Sequence, residues 1–224
     1  MQRYSKNLGT LLGDEQERIR RAKVCVVGCG ALGGYVVEML ARLGFGCLTV
    51  VDGDRFEESN LNRQILADLS SLGKSKAAAA KLRVGLINPE VAVNVIERNL
   101  TGENYREVIA GHDVLVDAVD DIDTRFLLQE AAEELGVVLV HGGVDRWYGQ
   151  VCTIYPGDRL LDRIFANQRN RRSEYSAASF TPPLVAAVQV SEVLKVITGR
   201  GSQLRGKVLY VDLLEHEYQT VQLG

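Results

Sequence analysis

Short apolar runs and stretches of helical spacing take turns along the first two thirds of the chain. Val24–Val27 is an apolar run, 31–43 carries apolar residues at helical spacing, and Leu48–Val51 is a second run that ends at Asp52. Runs this short, bounded by glycine and acidic residues, predict buried parallel strands, and spacings of three and four predict the helix packed on them. The same alternation predicts strands over 91–96, 114–116 and 137–140, with helices over 72–86, 102–110 and 126–135. A polar helix over 14–22 precedes the first strand. Later, 148–155 alternates as a half-buried strand, and 182–198 reads as a helix with proline in its first turn and Gly199 beyond its end. A closing hairpin is predicted over 207–212 and 216–221. The sum is an α/β, Rossmann-like fold: a mostly parallel sheet, helices on both faces, and antiparallel strands at the C-terminal side. With no internal repeat or linker, 1–224 reads as one domain.

Composition narrows the function classes. A hydrophobic content of 46% and a net charge of −3 describe an ordinary soluble chain with a full core. That charge argues against general nucleic-acid binding, which needs a basic face to displace counterions. The N-terminal MQRYSKNLG has no apolar centre and is not a signal peptide, and no run approaches the roughly 20 apolar residues of a membrane span. The expectation is a cytoplasmic protein. Its four cysteines, Cys25, Cys29, Cys47 and Cys152, form no C-x-x-C pair, so no zinc is expected. Cys25, Cys47 and Cys152 read as buried reduced thiols, and Cys29 as the small residue that a glycine turn needs.

The candidate chemistry begins in that turn, Gly28-Cys29-Gly30-Ala31-Leu32-Gly33. Between a strand and a helix, Gly28 permits the tight turn, Gly30 lets the backbone approach phosphate, and Gly33 lets helix and strand pack closely. The helix N-terminus favours an anion there. Asp52, about 20 residues past the glycines, stands where a carboxylate takes ribose hydroxyls. This unit alone also suits an NAD-dependent oxidoreductase, but that leaves the next loop unexplained. The loop 53–64 is long, polar and charged. Glu57 and Glu58 read as solvated, whereas Asn60, Arg63 and Gln64 cluster at its end. Lys76 falls in the first turn of a helix, where a cation opposes the dipole unless an anion is near. Asp117, Asp120, Asp121 and Asp123 follow the fourth strand, at the sheet edge where open parallel sheets bind ligands. Carboxylates this close repel unless a cation shares them, so they suit Mg²⁺. Asp123, with Thr124, reads as a helix N-cap. His141, at another strand end, could line the pocket and has no assigned role.

Asp52-x-Asp54-x-Phe56-x-x-Ser59-Asn60-Leu61-x-Arg63-Gln64 resembles the pattern of the ubiquitin-activating, E1-like superfamily that includes the MoeB, ThiF and HesA adenylyltransferases. The resemblance runs from Arg3 nearly to the end of the chain, through the strand containing Gly149-Gln150-Val151. It implies ATP-dependent activation of a terminal carboxylate, that of a ubiquitin-like sulfur carrier such as ThiS or MoaD, with release of pyrophosphate. It implies that Arg63 and Lys76 stabilise the phosphates, that Asn60 and Gln64 orient them, and that Asp52 and Asp54 belong to the nucleotide site. Asp120 would hold Mg²⁺, with Asp121 replacing the family asparagine. The segment Arg3-Tyr4-Ser5-Lys6-Asn7 corresponds to one that reaches into the partner of a homodimer, with Lys6 where the family has arginine. Such a lysine offers a point charge and no planar fork. In relatives the crossover region carries a catalytic cysteine, a zinc pair or both. Here 157–181 has none, so no thioester or acyl-disulfide step on this chain is expected. Its Arg163, Arg169, Arg171 and Arg172 suit either an acidic carrier face or a solvated loop. Two other readings stand beside this one: a dehydratase-like, ATP-dependent activation of a carboxylate on a modified tRNA adenosine, which the acidic balance disfavours, and a non-catalytic E1-like scaffold.

Overall fold

A computed structural model of the chain describes residues 2–166, 168 and 176–223. Arg169, Arg171 and Arg172 lie outside the described residues, while Arg163 is exposed. In chain order the elements are α1 (Glu15–Arg21), β1 (Lys23–Val27), α2 (Gly33–Leu43), β2 (Cys47–Val51), α3 (Lys76–Ile87), β3 (Ala92–Ile96), α4 (Tyr105–Ile109) and β4 (Val114–Asp117). They continue with α5 (Ile122–Leu135), β5 (Val138–Asp145), β6 (Tyr148–Ile154), α6 (Leu160–Ile164), α7 (Thr181–Thr198), β7 (Lys207–Asp212) and β8 (Glu217–Gln222). The strands form one eight-stranded sheet in the order β3-β2-β1-β4-β5-β6-β7-β8. Pairing is parallel from β3 to β5 and antiparallel from β5 to β8, as the pattern of the sequence predicts.

Helices cover both faces. On one, α2, α3 and α7 enclose Val36, Leu40, Phe45, Val185 and Val193 over the β1 and β2 side chains Val24, Val26 and Leu48. On the other, α4, α5 and α6 enclose Ile109, Leu128 and Leu161 over Cys25, Leu115 and Leu139. Strands buried on both faces can be apolar throughout, which is why β1, β2 and β4 read as unbroken runs. The order of strand addition reverses about β1: β2 lies on one side and β4 on the other, so a crevice opens beyond their carboxyl ends. Among the described residues no helix is long and apolar enough to cross a membrane.

Several boundaries differ from those predicted. β5 runs to Asp145, not to residue 140, because Gly142, Gly143 and Val144 pair antiparallel with β6. α5 begins at Ile122, and its N-cap is Asp121: one carboxylate oxygen accepts from both the Thr124 N–H and the Thr124 hydroxyl at 2.7 Å. Asp123 lies inside the first turn and is not the cap. α6 lies in 157–181, where no element is predicted, anchored by the buried Leu160 and Leu161. Cys47 is half-buried, whereas Cys25 and Cys152 are buried as expected. Burial pushes the Cys25 thiol up to about 12 and the Cys152 thiol up as well, so neither ionises near neutrality.

Candidate active site

The crevice holds a cavity of about 420 Å³ floored by the glycine turn. Gly28 has φ +94°, and a Cβ there would lie 2.5 Å from the Ala118 carbonyl oxygen beyond β4. At Gly33 a Cβ would lie 1.8 Å from the Gly28 carbonyl oxygen, so α2 starts directly against the strand end. Gly30 is different. The nearest atom to its notional Cβ is the Gln64 amide nitrogen at 3.7 Å, which leaves the backbone open to the cavity.

Asp52 lines the cavity and braces the turn. One carboxylate oxygen accepts from the Cys29 N–H at 2.7 Å and the other from the Asp54 N–H at 2.8 Å. Burial raises its pKa, while those two amides oppose the rise. Each oxygen keeps a lone pair for a ribose hydroxyl. Cys29 is fully buried, and burial first, then the Asp52 charge, push its thiol well up. This fits a structural residue and not a nucleophile.

Arg63, Gln64 and Lys76 also line the cavity. Arg63 donates through Nη1 to the Ser59 carbonyl and the Asn62 side chain, both at 2.8 Å. Lys76 places Nζ 2.8 Å from the Asp54 carboxylate, so Asp54 is the anion that its helix position called for. Gln64 is buried, and its Oε1 has no hydrogen-bond partner among the described residues. Asn60 stands apart. It is buried in a 3₁₀ turn, Glu58–Asn60, where its side-chain oxygen accepts from the Glu57 N–H at 3.0 Å. It shapes the loop that carries Arg63 and Gln64 and is not part of the cavity wall. Glu57 and Glu58 are exposed, as the composition of the loop predicts.

The β4–α5 loop contributes too, with Asp120 and Asp121 exposed and Arg125 donating to the Val119 carbonyl at 2.7 Å. Arg125 and Asn99 line the cavity from positions without a motif of their own, and Thr124, read in the sequence only as part of a helix cap, lines it too. His141, which the sequence allowed to line the pocket and gave no role, does not reach it. His141 is fully buried behind the wall, with Nδ1 at 2.6 Å from Asp117. Lys6 is exposed and does not line the cavity of its own chain, because Arg3 and Tyr4 tie the N-terminal segment to Asn88 at the end of α3. A second cavity of about 450 Å³ shares Asp120, Arg125 and Val144 with the first and extends to Gln150, Phe165, Tyr148 and Tyr210.

The residues present fit a nucleoside triphosphate. There is room over Gly30, three cationic side chains (Arg63, Lys76 and Arg125) line the cavity, and the buried Gln64 Oε1, without a partner among the described residues, can accept from a nucleotide hydroxyl or amine. Among the described residues no group of three or more His, Cys, Asp or Glu could hold a metal ion. Mg²⁺ bound through one or two carboxylates takes its other oxygens from phosphate and water, and Asp120 suits that role.

A family model described as the ThiF family matches residues 4–224. The chain belongs to the ThiF family. It is 34% identical over 99% of its length to the SAMP-activating enzyme E1 of Haloferax volcanii, covering 84% of that protein. It is 37% identical over 91% of its length to the sulfur carrier protein adenylyltransferase of Thermus thermophilus, covering 79%. Escherichia coli MccB shares the fold, with a TM-score of 0.87 at 22% identity, over 99% of this chain and 72% of that one. This ThiF-family chain is an enzyme, an ATP-using adenylyltransferase.

Proposed function

We propose that the protein adenylates the C-terminal carboxylate of a ubiquitin-like sulfur carrier, releasing pyrophosphate. The observation that carries this reading is the meeting of two cavities at Asp120 and Arg125. One is floored by the glycine turn; in the other, Gly143, Gly149, Gln150 and aromatic side chains stand beside Asp120, Arg125 and Asp145, a lining that suits an extended chain end. Relatives named for activating SAMP and for adenylylating sulfur carrier proteins point the same way. A carrier carboxylate oxygen entering from the second cavity attacks the α-phosphorus of ATP. The new bond is the acyl–phosphate bond, the bond to the β-phosphate oxygen breaks, and pyrophosphate departs with that electron pair. The attacking carboxylate is already ionised at neutral pH, so no protein base is required.

Catalysis is positioning and charge neutralisation. Lys76 uses one ammonium N–H on Asp54 and keeps two for phosphate oxygens. Arg63 adds a second cation, Gln64 holds the loop against the phosphates, and Asp52 takes the ribose. Asp120 would hold Mg²⁺, which supplies charge neutralisation when bound. The reading includes a homodimer, in which the exposed Lys6 serves the partner's phosphates, and it involves no zinc.

Thermal stabilisation and ATP–pyrophosphate exchange test it. Ligand that binds only the folded state adds about 2.7 kcal/mol at a hundredfold excess over Kd. Mg·ATP is expected to stabilise the wild type, and Asp120→Ala to blunt that shift and abolish exchange without unfolding. Stabilisation by NAD(H) with none by Mg·ATP would sink the reading in favour of an oxidoreductase.

A further inference from the structure

Behind the second cavity lies a buried polar relay for which the adenylation chemistry alone gives no reason. Asp117 and His141 are register partners on β4 and β5, both fully buried, with His141 Nδ1 2.6 Å from Asp117 Oδ2. The other Asp117 oxygen accepts from the Val119 N–H at 3.1 Å, and Arg125 Nε lies 3.7 Å from the carboxylate. A carboxylate ringed by donors and a guanidinium accepts hydrogen bonds, so the His141 proton sits on Nδ1. Burial pushes the His141 pKa down against the pull of Asp117, which keeps the ring neutral. Its Nε2 is therefore an acceptor, and the Gln150 amide nitrogen donates to it at 3.1 Å. With its NH₂ held inward, the Gln150 side chain turns its carbonyl oxygen the other way, and Gln150 lines the second cavity.

We infer that Gln150 is a recognition residue: its Oε1 accepts a backbone N–H from the extended, side-chain-poor C-terminus of the carrier. Asp117 and His141 are positioning residues that fix which end of the amide faces the cavity. This assignment rests on the proposed function and names how the second cavity reads its substrate. A chain end without side chains can be recognised through its backbone groups. Gly143 and Gly149 line the same cavity, and a Cβ on Gly143 would stand only 3.0 Å from Gln150. Phe165, set edge-on to His141 with ring centroids 5.6 Å apart, closes the far side. The relay thus orders one wall from beneath, and a reversed amide would offer a donor where the peptide also presents a donor.

The test is ATP–pyrophosphate exchange driven by a purified ThiS-type carrier ending in Gly-Gly, with KM measured separately for carrier and ATP. Gln150→Met keeps the shape and loses the acceptor. It is expected to raise the carrier KM about tenfold, the worth of one hydrogen bond, with kcat and the ATP KM within about twofold. Gln150→Glu restores an acceptor towards the cavity and is expected to hold the carrier KM within about threefold of wild type. His141→Phe is expected to raise the carrier KM in the wild-type background and to add nothing in the Gln150→Met background, because both changes remove one interaction. Should His141→Phe fail to fold, the contrast between the two Gln150 variants decides. An unchanged carrier KM in Gln150→Met, or equal rises in the Met and Glu variants, overturns the assignment. Wild type that exchanges with no Gly-Gly carrier overturns the functional reading itself, and the assignment with it.

Discussion

The Lys76 ammonium rests 2.8 Å from the Asp54 carboxylate, with the lysine side chain 10% exposed and the aspartate 65%. The asymmetry matters. Lysine is held in place by its surroundings, while its partner stands in water and can turn aside for a phosphate. An ion pair with one exposed member contributes little stability, about 0–1 kcal/mol. Lys76→Ala is therefore expected to unfold within about 1 kcal/mol of wild type and to lose about 100-fold or more in exchange rate, since a preorganised cation facing developing charge is worth that much. Asp54→Asn removes the competitor and keeps the lysine, so a much smaller loss is expected. Equal losses in the two variants would show that the pair acts as a unit and that Lys76 is not the phosphate contact.

Gly33→Ala is expected to damage the fold before the chemistry. Its methyl would have to occupy space 1.8 Å from the Gly28 carbonyl oxygen, which is backbone and cannot swing away. Overpacking of this kind costs about 3 kcal/mol, readable as a lowered denaturant midpoint. Gly30→Ala, with nothing nearer than 3.7 Å, is expected to fold normally and to bind ATP more weakly. A normal midpoint for Gly33→Ala would refute the close-packing role.

Gln64→Leu separates stability from binding. The buried Oε1 of Gln64 has no partner among the described residues, so an apolar isostere removes an unsatisfied group. Stability is expected to stay level or rise by about 1 kcal/mol, while the ATP KM rises about tenfold. A loss of stability with an unchanged KM would mean that Gln64 is a structural residue.

Much of this site was legible because its signals are local. The Gly28–Gly33 turn, Asp52 and Lys76 each depend on a strand end or helix start that the apolar pattern marks, and the cavity gathers all of them. What escaped depends on pairing across the sheet. Nothing near His141 in sequence announces Asp117, which meets it only because β4 and β5 align in register. β5 could not be seen to continue past residue 140, since Gly142 and Gly143 look like a turn until β6 pairs with them. The N-cap went to Asp123 over Asp121 because two neighbouring acids are equivalent on paper. Only the extended backbone of Asp121, with ψ 127°, lets its carboxylate reach the Thr124 N–H. Asn60 matched the family motif, yet its side chain closes its own turn, a distinction that residue type does not carry.

Glu38 gives a pH-dependent test of how the two helices flanking the cavity are joined. It is a buried acid on α2 that receives Arg83 of α3 through two hydrogen bonds, at 2.8 and 2.9 Å, and Arg42 of its own helix at 2.7 Å. The Arg83 contact, opposed by burial and helped by Arg42, lowers its pKa below the ordinary glutamate value. A carboxylate whose pKa is lowered by folding contributes stability above its unfolded pKa and loses it as pH falls through the folded value. Glu38→Gln is thus expected to cost about 2 kcal/mol at pH 7, the worth of hydrogen bonds to a charged group. The difference should start to narrow near pH 4.3, the ordinary glutamate pKa, and close at lower pH as the wild-type carboxylate takes its proton. Urea denaturation of both proteins across that range checks it. A gap that stayed constant down to the lowest pH would mean that the side chain matters through packing, and that the charge on Glu38 does not hold α2 to α3.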